Sequence, residues 1–265
     1  MAGQPEELTN RSWLHQQAVP ISDALDSLLT YIEHRLAGHG APRSAQRTGL
    51  DEDLQLPLGT GILGVDRALG GGLRQGHLTV LEADLPAQAD AVLWSIARKV
   101  PHPTVLDVHS LLGATAWIWA GSSGVPTVSM SQGNLSEAEW QRATDTIGEL
   151  ADKDLYLGCA ESVPGLAALA ASRRARVLMV QDLERFGEPA VARRDLARMA
   201  AGTGLAVLAT SGTTGEVPAG CRHITTVVQM LRSNMGGTAR FVLADHIDML
   251  SVNEVRLDLV TGRVT

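Results

Sequence analysis

Histidine, cysteine and serine are the residue types that most often carry metal or nucleophilic chemistry, and their spacing here favours neither. The eight histidines are scattered, without an HExxH or other metal-ligand spacing. Cys159 and Cys221 are far apart and belong to no metal-spaced cluster. Ser122, Ser123 and Ser211 lie in glycine-containing turns, but no G-x-S-x-G elbow occurs. The sequence therefore predicts neither a metal centre nor a hydrolase.

The net charge and the composition exclude further classes of function. A formal charge of −7 argues against a surface that coats nucleic acid, because backbone binding depends on clustered lysine and arginine. The short basic stretches at 172–177 and 192–199 are interpreted as solvated helix faces. No apolar run approaches the ~20 residues that cross a bilayer, and residues 1–13 lack a basic, apolar signal segment. With two cysteines in 265 residues, we expect reduced thiols in a soluble cytoplasmic protein.

Short apolar runs alternate with helix-like segments along most of the chain, which is typical of an α/β fold. Such runs suit strands that are buried on both faces of a parallel sheet flanked by helices. The predicted strands are Leu78–Ala83, Pro103–Val108, Arg176–Gln181 and Leu205–Thr210. The predicted helices are Asp90–Lys99, Leu111–Ala120, Ser136–Ala151, Val163–Arg174 and Ala190–Gly202. Residues 239–265 predict an antiparallel extension at the sheet edge.

A helical stripe precedes this domain. Its apolar residues recur at intervals of three and four: Ile21, Leu25, Leu28, Leu29, Ile32 and Leu36. The stripe must be buried either on its own domain or on a neighbouring subunit, and the pattern does not distinguish the two. We therefore divide the chain into a flexible tail (1–19), a linker helix with its linker (20–53) and a core domain (54–265).

Several segments, in order, resemble the RecA-type ATPase core of replicative (DnaB-type) helicases and of RadA. The stretch "LGTGILGVDRALGGGLRQGHLTVLEA" resembles the entry to that core. The stretches "QGNLSEAEWQRATDTIGELADKDLYL" and "RRDLARMAAGTGLAVLATS" resemble two of its helix–strand pairs. The resemblance extends from Ile21 to the C-terminus. It implies a RecA-like P-loop NTPase fold, and it places Ile21–Leu36 where the family has the helix that docks on the next subunit.

The phosphate-binding loop of that family falls on "DLPAQAD", residues 84–90. Such a loop needs glycines, a lysine for the β- and γ-phosphates, and a serine or threonine for Mg²⁺. Here the degenerate positions are Pro86, Ala87, Gln88, Ala89 and Asp90, with Gly-Lys-Thr replaced by Gln88-Ala89-Asp90. Since a carboxylate at Asp90 would repel the phosphates, ATP with Mg²⁺ is not expected as a cofactor.

Other functional positions of the family are replaced as well. The catalytic glutamate falls on Leu111, and the metal-linked carboxylate falls on Gln181, with Asp182 one residue away. The strand-end glutamine falls on Gly212. The lysine and arginine that reach the neighbouring subunit fall on Asp245 and Ile247.

Two further features concern contacts with partners. The segments at 185–192 and 212–220 are shorter and less basic than the DNA-contacting loops of the helicases, so threading of single-stranded DNA is not expected. Trp117 and Trp119 are two residues apart on one predicted helix, so one of them should be partly exposed.

Three hypotheses follow. The first is a catalytically inactive DnaB-type homologue that assembles with itself or with a protein partner as an adaptor or regulator. The second is a nucleotide switch or ATPase with a rearranged site, in which Asp182, Glu184 or Glu82 holds the metal. The third is a DNA-binding replication or recombination factor that uses the arginines of 173–176 and 193–198.

Overall fold

The fold is built on one large sheet. The computed structural model describes residues 19–27, 57–83, 86–212, 224–232, 239–244, 251–254, 257–258 and 263–264. Within them the sheet has nine strands in the order β1-β4-β3-β5-β6-β2-β7-β8-β9. The strands are β1 Val19–Pro20, β2 Leu78–Ala83, β3 Thr104–Asp107, β4 Leu155–Gly158, β5 Val177–Val180, β6 Ala206–Ser211, β7 Ile224–Arg232, β8 Ala239–Ala244 and β9 Ser251–Glu254. Two short strands, β10 Leu257–Asp258 and β11 Arg263–Val264, pair separately.

The centre of the sheet is parallel. Strands β4, β3, β5, β6, β2 and β7 pair in parallel, whereas β1 at one edge and β8–β9 at the other pair antiparallel. The predicted parallel sheet with an antiparallel C-terminal extension is therefore confirmed. All carboxyl ends of the parallel strands point to one edge of the sheet, where ligand sites of open α/β folds form.

Helices cover both faces of the sheet. They are α1 (21–27), α2 Leu63–Ala68, α3 Pro86–Lys99, α4 Leu111–Ser123, α5 Thr127–Gln132, α6 Glu137–Asp145, α7 Ile147–Ala151, α8 Val163–Ser172 and α9 Pro189–Thr203. A 3₁₀ helix spans Leu183–Phe186. Successive strand residues alternate between two apolar cores: Leu106 and Met179 face the helices α1 to α7, whereas Val105 and Leu178 face α8 and α9. This alternation explains why the strands are apolar throughout.

The segment predicted as one helix over Ser136–Ala151 is two helices, α6 and α7. The carbonyl oxygen of Ala143 is the reason for the break. It accepts hydrogen bonds from Trp119 Nε1 at 2.7 Å and from Thr146 Oγ1 at 2.9 Å, so it is withdrawn from the regular helical ladder. Trp119 is fully buried, whereas Trp117 on the same helix is only half-buried, as the two-residue spacing predicts.

The N-terminal residues pack into the chain's own core. Strand β1 pairs with β4, and Ile21 and Leu25 of α1 are both 0% exposed within the main apolar cluster. The interpretation of Ile21 and Leu25 as contacts to a partner subunit is therefore wrong: their apolar surface is satisfied inside the domain. Leu28, Leu29, Ile32 and Leu36 lie outside the described residues. Residues 19–27 belong to the core domain, so the predicted boundaries at residues 19 and 53 do not isolate this helix.

Candidate functional site

Polar side chains gather at the carboxyl edge of the sheet. Glu82 is near the end of β2, Asp107 ends β3, Gln181 follows β5, and Thr210 and Ser211 end β6. All except Gln181 are buried. Buried polar groups are costly unless they are paired, so each of these buried side chains needs a hydrogen-bond or ion-pair partner.

Asp90 lies at the centre of this edge. Its carboxylate accepts hydrogen bonds from Gln181 Nε2 at 2.7 Å and from Thr210 Oγ1 at 2.9 Å. Burial raises the pKa of Asp90, while these two hydrogen bonds and the nearby His109 oppose the rise. The two positions that the sequence comparison assigned to the Mg²⁺ hydroxyl and the metal-linked carboxylate are thus in direct contact, as an aspartate and a glutamine.

The segment expected to form a phosphate loop is mostly helical. Helix α3 begins at Pro86, four residues before the predicted start at Asp90, and only residues 84 and 85 separate it from β2. Ala89 is 0% exposed and belongs to the apolar core. The position that carries the lysine in the helicases therefore points into the core. The backbone of Pro86, Ala87 and Gln88 lies in the first turn of α3, and their side chains are not among those described.

His109 and Asp182 connect this centre to the solvent. The His109 backbone N–H donates to Gln181 Oε1 at 3.1 Å, and His109 Nε2 lies 3.0 Å from Asp182 Oδ2. Asp182 has a left-handed backbone (φ 59°), and its N–H donates to Thr210 Oγ1 at 2.8 Å. Burial and the neighbouring Glu184 raise the pKa of Asp182, whereas His109 opposes the rise.

A buried ion pair lies beside this centre. Arg193 Nη2 is 2.7 Å from Glu82 Oε1, and each side chain is 1% exposed. The same guanidinium donates to Ser211 Oγ at 3.1 Å, and Ser211 Oγ donates to Glu184 Oε1 at 2.5 Å. The interpretation of 192–199 as a wholly solvated basic face is thus wrong at Arg193, which α9 turns toward the sheet. This arginine is likewise not available to bind DNA.

A second ion pair lies at the carboxyl end of β3. Asp107 is fully buried, pairs with Arg185 of the 3₁₀ helix, and accepts a hydrogen bond from the Ala160 N–H at 2.7 Å. Burial lowers the pKa of Arg185 to about 10. The ion pair fastens the segment after β5 to the end of β3.

Two further predicted positions, Leu111 and Gly212, have no hydrogen bond to the polar side chains of this cluster in the described part of the chain. Leu111 is the first residue of α4 and packs partly buried against the core. Gly212 is exposed just after β6. Asp245 and Ile247 lie outside the described residues.

The three carboxylates named in the rearranged-site hypothesis each contact a protein group in the described part of the chain. Glu82 binds Arg193, Glu184 accepts from Ser211, and Asp182 binds His109. Among the residues that the structure describes, no group of three or more histidine, cysteine, aspartate or glutamate side chains is arranged to hold a metal ion. In the same part of the chain, no helix is long and apolar enough to span a membrane.

Sequence reasoning missed Thr210, His109 and the two buried ion pairs as parts of this cluster. The sequence did contain a signal for the two ion pairs: Glu82 and Asp107 are charged residues at the carboxyl ends of otherwise apolar strands. Their partners were not identifiable, since Arg193 lies in a short basic stretch and Arg185 lies in a segment with no charge pattern of its own.

Comparison with known proteins identifies the fold. No protein-family model matches the sequence, and no curated protein matches it. Among solved structures, the chain is similar to a DnaB-like replicative helicase that was studied for its interactions with primase, at 12% identity and a TM-score of 0.66, over 91% of this chain and 67% of that one. It is also similar to the ATPase domain of G40P, at 12% identity and a TM-score of 0.65, over 92% of this chain and 98% of that domain. The protein thus has the RecA-like fold of DnaB-type ATPase domains.

Proposed function

We propose that this protein is a RecA-fold relative of DnaB-type helicases that does not hydrolyse ATP and works as an assembly, adaptor or regulatory protein. The observation that carries the proposal is the direct hydrogen bond between Asp90 and Gln181. Active relatives need a neutral hydroxyl and an acidic residue at these two positions, and this chain has a carboxylate and a neutral amide.

The electrostatics of the site oppose Mg-ATP in the usual pose. At an effective dielectric of ~20, a carboxylate about 4 Å from one phosphate charge costs about 4 kcal/mol against binding. The amide of Gln181 is a weaker ligand for Mg²⁺ than the carboxylate that it replaces. Ala89 supplies no cation and is buried in the apolar core. The side chains therefore do not fit Mg-ATP.

The site is also satisfied without a ligand. Asp90, Gln181, Thr210, His109 and Asp182 hydrogen-bond one another, which leaves a closed polar network in place of a phosphate cradle. A fully connected network of this kind rigidifies the edge of the sheet. We therefore expect the scaffold to fold without nucleotide.

A protein partner or a second copy of the chain is the proposed ligand of this scaffold. The solved DnaB-like helicase with the same fold was studied for its interactions with primase, which is a protein partner. The net charge of −7 disfavours nucleic acid as the general ligand. A cytoplasmic location is part of the same proposal.

Two measurements on the full chain test the proposal. Isothermal titration calorimetry with ATP and Mg²⁺ should give no saturable heat, with an active DnaB-type ATPase domain as the positive control. Light scattering after size exclusion should show self-association at tens of micromolar, or a complex when a helicase-type partner is added. Micromolar ATP binding would favour the nucleotide-switch hypothesis instead, and a strict monomer that joins no partner would count against assembly.

A further inference from the structure

A cluster of cations lies at the amino edge of the sheet, opposite the site described above. Thr104 at the start of β3 is paired with Leu155 of β4 and with Val177 of β5. The residues just before these three strands therefore meet at one edge. They include His102, Lys153, Arg173, Arg174 and Arg176, which we call the basic edge.

The local contacts support this grouping. Burial, and to a smaller extent the positive charge of Arg176, lower the pKa of His102, so His102 is the neutral member of the basic edge. The guanidinium of Arg173 lies 5.0 Å from the ring centre of Tyr156 on β4, which holds it against the sheet. Because two strand spacings separate β4 from β5, these cations share a width of about 10 Å.

Arg174 has a backbone that arginine rarely adopts. It is the left-handed residue (φ 49°) after helix α8, in a turn closed by hydrogen bonds from Arg174 N–H to the Ala171 carbonyl and from Ala175 N–H to the Ala170 carbonyl. Helices α4, α5 and α9 use glycine at their left-handed ends, with φ of 71°, 67° and 74°. Only glycine adopts this conformation without a steric cost. The exposed Arg174 is therefore kept at a steric cost that glycine would avoid.

The countercharge in the described ranges is small around three of the basic-edge side chains. Lys153, Arg174 and Arg176 make no ion pair with any residue in the described ranges. Two exposed carboxylates, Asp152 and Asp154, flank the cluster on the β4 side. The basic edge is therefore a short cationic patch on a chain of net charge −7.

We propose that the basic edge binds an acidic peptide segment of a partner protein. Clusters of arginine recognise anionic peptide motifs through charge-assisted, bidentate hydrogen bonds. A short peptide brings only a few charges within a Debye length of ~8 Å, so the local patch outweighs the net charge of the chain. A nucleic-acid strand would extend past the patch onto Asp152, Asp154 and the rest of an acidic surface. The described exposed large apolar residues, Leu63, Leu112, Val128 and Val191, lie on other segments, so charge governs recognition at this edge.

This inference rests on the proposed adaptor function and names the chemistry of its partner. The test measures the fluorescence anisotropy of a labelled peptide of about ten residues, rich in aspartate and glutamate. We expect saturable binding at low ionic strength that weakens at about 150 mM salt. Arg174→Gly and Arg176→Gln should each lower the affinity by about threefold to fivefold. Arg142→Gln, which removes an exposed arginine on α6, serves as the matched charge control and should leave the affinity unchanged.

Arg174→Gly also separates binding from folding. Glycine relieves the left-handed strain, so we expect the Tm of this variant to equal or exceed that of the wild type while its affinity falls. Absence of binding at low ionic strength, or equal affinity in all variants, would overturn the proposal. Tighter binding of an oligonucleotide of matched charge would overturn it in favour of nucleic acid. No nucleotide enters this assay, so failure here is distinct from ATP binding, which would overturn the proposed function itself.

Discussion

At the scale of single residues, Asp90 determines the character of the carboxyl edge. Its two hydrogen bonds join α3 to the ends of β5 and β6. A buried carboxylate without a cationic partner at hydrogen-bond distance is destabilising, because burial disfavours its charged form. The chain retains it where a phosphate-binding protein has a hydroxyl, which is consistent with a site that has no phosphate to accommodate.

Asp90→Asn should raise the free energy of unfolding at neutral pH. The asparagine oxygen still accepts from Gln181 Nε2, and its amide donates to Thr210 Oγ1. The Thr210 hydroxyl proton loses its acceptor, but removal of the partly buried charge outweighs that one hydrogen bond. Since the pKa of Asp90 is raised in the folded state, the unfolded chain ionises first as the pH increases. Wild-type stability is therefore lost as the pH rises from 3.8, the ordinary pKa of aspartate, through the pKa of Asp90 in the folded state. The variant lacks this loss.

Urea unfolding between about pH 3 and pH 8 measures the effect of Asp90→Asn. The advantage of the variant should grow with pH and vanish below the pKa of an unfolded aspartate. Asp152→Asn, at an exposed position, is the control and should change stability little at any pH. A variant less stable than the wild type at neutral pH would show that the charge itself is needed.

At the scale of elements, two close contacts hold helices in place around the sheet. Helix α3 packs on α4 where the Arg98 guanidinium lies over Gly121, and α9 packs on β2 through the Arg193–Glu82 pair. Both arginines are almost fully buried. Both arginines therefore have a structural role in this chain. A short basic segment of the sequence does not by itself indicate such a role.

Gly121→Ala should destabilise the protein by about 2 kcal/mol, or about 5 °C in Tm. A Cβ at this position would overlap the Arg98 guanidinium, so α3 and α4 must separate or Arg98 must lose its hydrogen bond to Ser95. Thermal unfolding followed by circular dichroism measures the change. Gly148→Ala, on a helix with open space around it, is the control and should be neutral or stabilising by up to ~1 kcal/mol. Equal effects at both positions would contradict the contact.

Arg193→Met should cost about 3–5 kcal/mol in the free energy of unfolding, because it leaves the Glu82 carboxylate buried without its cation. Urea unfolding measures this cost. The exposed Arg198 on the same helix provides the control, since Arg198→Met removes only a surface pair with Asp195 at 3.6 Å. The double variant Glu82→Met/Arg193→Met should recover most of the loss. A cost below ~1 kcal/mol for Arg193→Met would show that the pair is not coupled to folding.

At the scale of the whole molecule, the chain has the RecA-like architecture. The parallel sheet, its order and its flanking helices match those of DnaB-type ATPase domains at 12% identity. Many sequences satisfy one sheet architecture because burial on both faces demands only apolar residues of suitable volume. Function depends on specific side chains at the edges of the sheet, and these side chains can change without changing the fold.

Saturating Mg-ATP should leave the Tm of the protein unchanged to within about 1 °C. A ligand at 100 times its Kd stabilises a folded protein by about 2.7 kcal/mol, which for a domain of this size raises Tm by about 5–10 °C. Differential scanning fluorimetry makes the measurement, with an active ATPase domain as the positive control. A rise of several degrees would show that the polar network at Asp90 opens to admit nucleotide.

The α/β class and most element positions follow from the sequence, because strand and helix formation depend on local apolar periodicity. The strand Leu78–Ala83 was predicted with its observed bounds, and the antiparallel extension was anticipated. Only the tertiary structure shows which residues far apart in the sequence are in contact. Asp90 meets Gln181 across 91 positions of the chain, and Ile21 and Leu25 find their burial on their own domain. Pairings of that range depend on how the strands are ordered in the sheet, which no local pattern encodes.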